Sequence, residues 1–248
     1  MPNHITNILT FSCSKEKFKE IAEFVRKDDW FLGSVDFNKL IPMPDSLNIE
    51  CGSRGEEGFK LYKSFLEWNE KNDPKGEKAD MLEQYIKVVE NDPEIFDLGK
   101  QYYENLVNYG ATTWYDWRIE HWGSKWNAYD FVEANPEEMF LQFNTAWSCV
   151  PPVMEKLSRT FPDTEIKYSW ADEDIGHNVG SMVLLNGEPI EENIPTDGSK
   201  EAYELAAEVM DFDLAQWGYV FDKKSGTYEY VGENLYGSDT PSLTDDAR

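Results

Sequence analysis

Side chains able to do chemistry gather in three places. The first is Thr113–Glu133, TWYDWRIEHWGSKWNAYDFVE, which holds four of the nine tryptophans, Trp114, Trp117, Trp122 and Trp126, with His121, Lys125 and Asn127 among them. An aromatic wall with an ammonium and an amide offers stacking, cation–π and hydrogen-bond contacts to a planar or anionic ligand. With Asn7 and Trp147 added, Asn7, His121, Trp122, Lys125, Trp126, Asn127 and Trp147 form a candidate ligand pocket. His121 could act as a general base, although a packing histidine beside Trp122 is the simpler reading. The second place is Asp172, Glu173 and Asp174 followed by His177. These are ligand types for a divalent ion, but the spacing matches no metal loop, and a solvated acidic turn accounts for them. The third is Cys149, a thiol with no histidine partner evident in the sequence. No GxGxxG, no GxxxxGK[ST] and no nucleophile elbow occurs. The sequence therefore assigns no catalytic residue, no metal and no cofactor.

The elements that must position these groups are legible from periodicity. Ile5, Leu9 and Phe11 alternate along a first strand, with Asn7 on the same face, where its amide needs partners. Ser14 caps a helix over 15–26 striped by Phe18, Ile21, Ala22 and Val25. Val35–Ile41 reads as a second strand stopped by Pro42 and Pro44. Residues 45–58, with Gly52, Gly55 and Gly58, read as a loop. A helical insertion over about 59–110 follows: Phe59–Trp68, Met81–Val89, and a helix started by Asp92-Pro93-Glu94 and ended by Gly110. The alternation of Trp117 and Ile119 with Arg118 and Glu120 reads as one arm of a β-hairpin, or of a strand with an irregular turn, that turns at Gly123-Ser124 and returns over Trp126–Val132. Met139–Trp147 is a strand, Pro151-Pro152 opens a helix, Ile166–Trp170 and Val179–Leu185 are strands, and Asn186-Gly187 is a tight turn. Ser199 caps a helix to Met210, and Trp217–Phe221 pairs with Thr227–Val231 about Gly226.

Without the insertion the order is β-α-β-β-α-β. The class is α+β, a ferredoxin-like split-βαβ antiparallel sheet with helices on one side. The domain runs over 1–187, with an α/β C-terminal extension over 188–248 packing on it and fraying from about 237.

Charge narrows function more than any motif does. Forty-eight acids against 23 bases give a formal net charge of −25. That argues against general attraction to nucleic acid or anionic membrane. The acid is concentrated: Ala128–Asp213 holds 19 Asp and Glu against Lys156, Arg159, Lys167 and Lys200. Three scattered cysteines, Cys13, Cys51 and Cys149, make neither a disulfide framework nor a zinc site, and a reduced, cytoplasmic location is expected. No signal peptide or membrane-spanning run is read from the sequence.

Four runs, MPNHITN at the start, HWGSKWNAYD at His121–Asp130, FNTAWSCVPP at Phe143–Pro152 and ADEDIGHNVG at Ala171–Gly180, resemble the YubB ferredoxin-like family of plasmid and phage proteins. The resemblance spans about residues 1–185. It implies a ferredoxin-like fold and the setting of a mobile genetic element, whose accessory proteins often counter host defence. It implies no settled activity.

Together these readings predict a non-enzymatic accessory protein acting by protein–protein binding. Asp172, Glu173, Asp174, Glu188, Glu191 and Glu192 would face a basic surface, for instance that of a host defence nuclease complex, as an anti-CRISPR or similar DNA mimic does. Direct binding to nucleic acid or membrane is not expected. The alternative is a small-ligand binding module, or an enzyme, using the Trp114–Trp126 stretch.

Overall fold

The computed structural model describes residues 2–70 and 86–232. They fall into two compact units: Met1–Asp36 with Asn127–Arg248, and Phe37–Trp126.

The first unit is built on a five-stranded antiparallel sheet in the order β2-β1-β3-β4-β5. The strands are β1 (His4–Ser12), β2 (Phe140–Ala146), β3 (Glu165–Asp172), β4 (Gly180–Leu185) and β5 (Glu188–Asn193). Alternation along β1 sends Ile5, Asn7, Leu9 and Phe11 to one fully covered face. Register places Asn7 between Phe143 and Trp170, and Leu9 between Leu141 and Tyr168, so a single apolar layer crosses three strands. Helix α1 (Lys15–Val25), capped by Ser14 accepting from Lys17 N, buries Phe18, Ile21, Ala22 and Val25 against this layer. The Phe18 ring lies 5.5 Å from that of Phe11. The next helix of this unit, Pro151–Thr160, covers the same face through Val153, Met154 and Leu157.

Two expectations change here. Val35–Ile41 forms no strand. Phe37–Lys39 is a 3₁₀ turn in which Leu40 N and Ile41 N both bond Phe37 O. The buried positions Val35, Phe37 and Leu40 do not keep a period of two, so no face of a strand could have been apolar throughout. The place beside β3 is taken instead by β4, which follows β3 in the chain. Helices also cover both faces of the sheet. The helix Lys200–Met210, capped by Ser199, packs Ala202, Leu205, Ala206 and Val209 on Ala171, Ile175 and Val179, with Ile8 beneath. The ferredoxin-like α+β class stands, with its second layer supplied by the C-terminal part of the chain. That part ends in the hairpin β6 (Tyr219–Asp222) and β7 (Thr227–Tyr230). The expected fraying from 237 lies outside the described residues.

The second unit is helical. Its elements are α2 (Ser53–Glu70), α3 (Ile95–Tyr109) and α4 (Trp114–Trp122), so α5 denotes Pro151–Thr160 and α6 Lys200–Met210. Residues 86–91 are also helical; Met81–Tyr85 of the expected Met81–Val89 helix lie outside the described residues. Helix α2 begins inside the stretch the glycines mark as loop. Gly58 and Gly99 face each other where α2 meets α3, and a Cβ on either would overlap the other helix's backbone. Close approach, not chain breaking, explains these glycines. The Asp92 carboxylate holds Arg54 by a paired hydrogen bond of 2.5 and 2.8 Å and also meets the backbone N–H groups of Glu94 and Ile95, where a cap belongs.

The Trp stretch is a helix, not a hairpin. Thr113 caps α4 through Tyr115 N, and Gly123 closes it at φ 84°. The short alternation at 117–120 fits either period. The cap, the left-handed glycine and the i, i+4 contacts decide it: Trp117 stacks on His121 at 4.2 Å, and Arg118 lies 5.1 Å from Trp114 and 5.0 Å from Trp122. Trp126–Val132 does not return as a strand; an isolated bridge joins Tyr129 to Asn144.

Candidate functional site

The acidic residues sort into one that holds and several that project. Asp172 ends β3 and is buried. Its Oδ1 accepts from Asn3 Nδ2 at 3.1 Å and from Asp174 N at 2.9 Å; its Oδ2 accepts from Asn178 Nδ2 at 3.1 Å. Asn178 Nδ2 also reaches Trp147 O at 3.3 Å. A carboxylate with this many donors fixes the turn after β3. Asp172 is thus a positioning residue and presents no face to a partner. Glu173 and Asp174, which it orients, are exposed.

Glu188, Glu191 and Glu192 lie on β5, all six of whose residues are exposed. Among the described residues this strand pairs with β4 alone, at the edge of the sheet. Glu191 and Glu192 sit opposite Val183 and Met182, next to a register shift, and point to opposite faces. Glu188 is about 13 Å along the strand from Glu192, and it has Arg159 at 3.9 Å. Among the described residues Glu173, Asp174, Glu191 and Glu192 make no ion pair. Asp197, not singled out in the sequence, adds to the acidic end of the sheet by accepting from Asn178 N at 3.1 Å. The acids therefore form a band along one edge and one end of the sheet rather than a pocket. Among the described residues no group of three or more His, Cys, Asp or Glu is arranged to hold a metal ion.

The candidate ligand residues divide between the units. Asn7, Asn127 and Trp147 belong to the first. Asn7 is fully buried, donates to Ile5 O at 2.8 Å and Thr145 Oγ1 at 2.9 Å, and accepts from the Tyr168 hydroxyl at 2.7 Å. Asn127 donates to Asp36 Oδ1 at 2.6 Å and accepts from Ala128 N. Trp147 is half exposed at φ 68°, turned out of the strand's alternation. His121, Trp122, Lys125 and Trp126 belong to the second unit. Trp122 is fully buried, edge-on to Phe37 and Trp117, with its indole N–H on Ile41 O. His121 Nδ1 is on Trp117 O. Lys125 already lies 4.1 Å from the Trp126 ring centre. Asn7 and Trp122, the two most buried, offer a ligand no surface.

Sequence reasoning missed two things. Arg118 is held between Trp114 and Trp122, and burial lowers its pKa from the ordinary value; reading Trp114, Arg118 and Trp122 at helical spacing would have found it. The other is a cleft of about 440 Å³ lined by α6 and the β6–β7 region. The signal was the density of tyrosine and phenylalanine after Met210.

Burial pushes the Cys149 thiol up to about 11, so it stays protonated at neutral pH.

An antiparallel sheet with this helix arrangement defines an α+β domain of the ferredoxin-like class. Residues 121–213, which include β2, α5, β3, β4, β5 and α6, match the family described as the ferredoxin-like domain in Api92-like protein. A crystal structure of a protein api92 from Yersinia pseudotuberculosis is similar over 80% of this chain and 99% of its own, at 10% identity and a TM-score of 0.41. No curated protein matches the sequence. Among the described residues no helix is long and apolar enough to cross a membrane.

Proposed function

We propose that this protein is a cytoplasmic, non-catalytic binding module that docks its acidic sheet edge on a basic, nucleic-acid-binding surface of another protein. The observation that carries this is the band of exposed carboxylates, Glu173, Asp174, Glu191 and Glu192, which make no ion pair among the described residues. Such a band imitates the field of a phosphate backbone. It gives a basic partner a fast, orientation-selecting approach. The sequence resemblance to the YubB family of plasmid and phage proteins supports a setting in a mobile genetic element. There, occupying a host defence nuclease complex would serve the element.

The test is affinity capture from host lysate with the wild type and with a Glu173→Lys, Asp174→Lys, Glu191→Lys, Glu192→Lys variant, its fold checked by circular dichroism. Capture of a nucleic-acid-binding protein should weaken steeply as salt rises, because exposed charges are screened within about 8 Å at physiological ionic strength. It should fall at least about tenfold in the variant. Capture that ignores both salt and charge reversal sinks the proposal.

A further inference from the structure

The cleft in the first unit carries a more specific assignment. It is walled by Phe212, Tyr219, Phe221 and Tyr228, with Glu204 and Asp213 also lining it. The rings support one another: Phe221 meets Tyr228 edge-on at 5.4 Å, and Tyr203 lies 5.4 Å from Tyr219 and 5.7 Å from Tyr228. Around it, large apolar side chains stay in water, with Trp217 53%, Val220 42% and Phe221 38% exposed. Such a patch on a folded domain marks a contact surface.

The chemistry of the walls selects a cation. Aromatic faces carry the negative end of the ring quadrupole, and two carboxylates reinforce it. Each carboxylate has capacity left. Asp213 uses Oδ1 to accept from Gln216 N, and Glu204 uses Oε1 to accept from the Tyr228 hydroxyl at 3.3 Å. A resident ammonium already samples this environment: Lys200 Nζ lies 3.4 Å from Glu204 Oε1 and 6.0 Å from the centre of the Phe221 ring. An exposed i, i+4 pair of this kind is weak, about 0.3–0.5 kcal/mol, so an incoming cation can displace it. The size is within the range that takes a small group with its polar contacts.

We propose that this cleft receives a lysine or arginine side chain of a basic polypeptide partner, anchoring the partner that the acidic edge attracts. The assignment rests on the basic-partner reading of the preceding section. It adds to that reading a defined receptor for one side chain.

The experiment uses the full chain and two capped peptides, one containing lysines and an otherwise identical one with norleucine in their place, titrated by two-dimensional NMR. The lysine peptide should shift Ala207 and the rings of Phe212, Tyr219, Phe221 and Tyr228, and the norleucine peptide should not. A Glu204→Gln, Asp213→Asn variant, altered only at exposed positions, should lose about tenfold in affinity. Lys200→Gln, which removes the internal competitor, should gain severalfold. Equal shifts from both peptides, or affinity unchanged in the carboxamide variant, overturn the assignment. If the lysine peptide moves only Glu173, Asp174, Glu191 and Glu192, the cleft is not the receptor and the acidic-edge reading survives. If it moves neither set, both fall.

Discussion

Asn7 lies in the apolar layer of β1 with both amide hydrogens and its oxygen engaged. That a buried asparagine there needs partners was legible, because it interrupts an apolar alternation. The partners themselves, Thr145 and Tyr168, come from strands far along the chain, and nothing local announces them. The same holds for Asp172, which composition groups with its acidic neighbours but whose donors, Asn3 and Asn178, turn it inward. Cys149 is the residue whose environment has the clearest measurable consequence. Its thiol is raised by burial from the ordinary 9.0 to about 11, so the folded state holds the proton more tightly than the unfolded chain. The stability this contributes is present in full below pH 9 and is lost as pH rises to 11, to the extent of about 3 kcal/mol. Denaturant unfolding measured from pH 8 to 11 should show that decline. Cys149→Ala should make it shallower, leaving the part due to the other groups that burial raises, Tyr168 and Tyr129 first among them. An unchanged slope in Cys149→Ala would show that the thiol is not buried as described.

Elements were legible wherever one period dominated and a cap agreed with it. The strands β1, β2 and β3 show one period, and the helices α1 and α6 satisfy both conditions, with Ser14 and Ser199 accepting the expected cap bonds. They failed where two principles competed. Glycine at 55 and 58 reads as a breaker, yet α2 runs through both because Gly55 faces Tyr102 and Gly58 faces the backbone of α3. In α4, four residues of alternation outweighed Thr113 and Gly123 as end signals, since aromatic side chains favour strands in isolation. The glycine contact makes a sharp prediction. Gly99→Ala gains up to about 1 kcal/mol in helix propensity, but its methyl would strike Gly58 backbone, which cannot rotate away. Overpacking of that kind costs about 1–3 kcal/mol or more, and it should win. The midpoint of chemical unfolding of the helical unit should fall for Gly99→Ala and stay put for Lys60→Ala on the exposed side of α2.

At the level of the whole molecule, the net charge of −25 was plain from composition, whereas its disposition was not. Only the sheet topology shows that Glu191 and Glu192 lie on what is, among the described residues, an edge strand, and that the turn held by Asp172 sets Glu173 and Asp174 at the end of the same sheet. Charge of this size also repels itself within the folded state. Raising sodium chloride from about 0.01 M to 0.1 M shortens the screening length from about 30 to 10 Å. The melting temperature should rise by a few degrees with it. A melting temperature that falls over this range would mean that attractive pairs, not repulsion, dominate the surface.

Asp36 and Asn127, hydrogen-bonded at 2.6 Å, are the points where the chain leaves the sheet unit and returns to it. The mouth of the long excursion Phe37–Trp126 is therefore bridged by side chains of the unit it departs from. Loop-closure entropy grows only logarithmically, by about 0.6 kcal/mol for each doubling of length. Once that mouth is clasped, the length of what is threaded between the two residues adds little to the entropy of closing it. The clasp makes the excursion a cassette: an architecture in which one segment can lengthen, shrink or be exchanged over evolutionary time while the acidic edge keeps its shape.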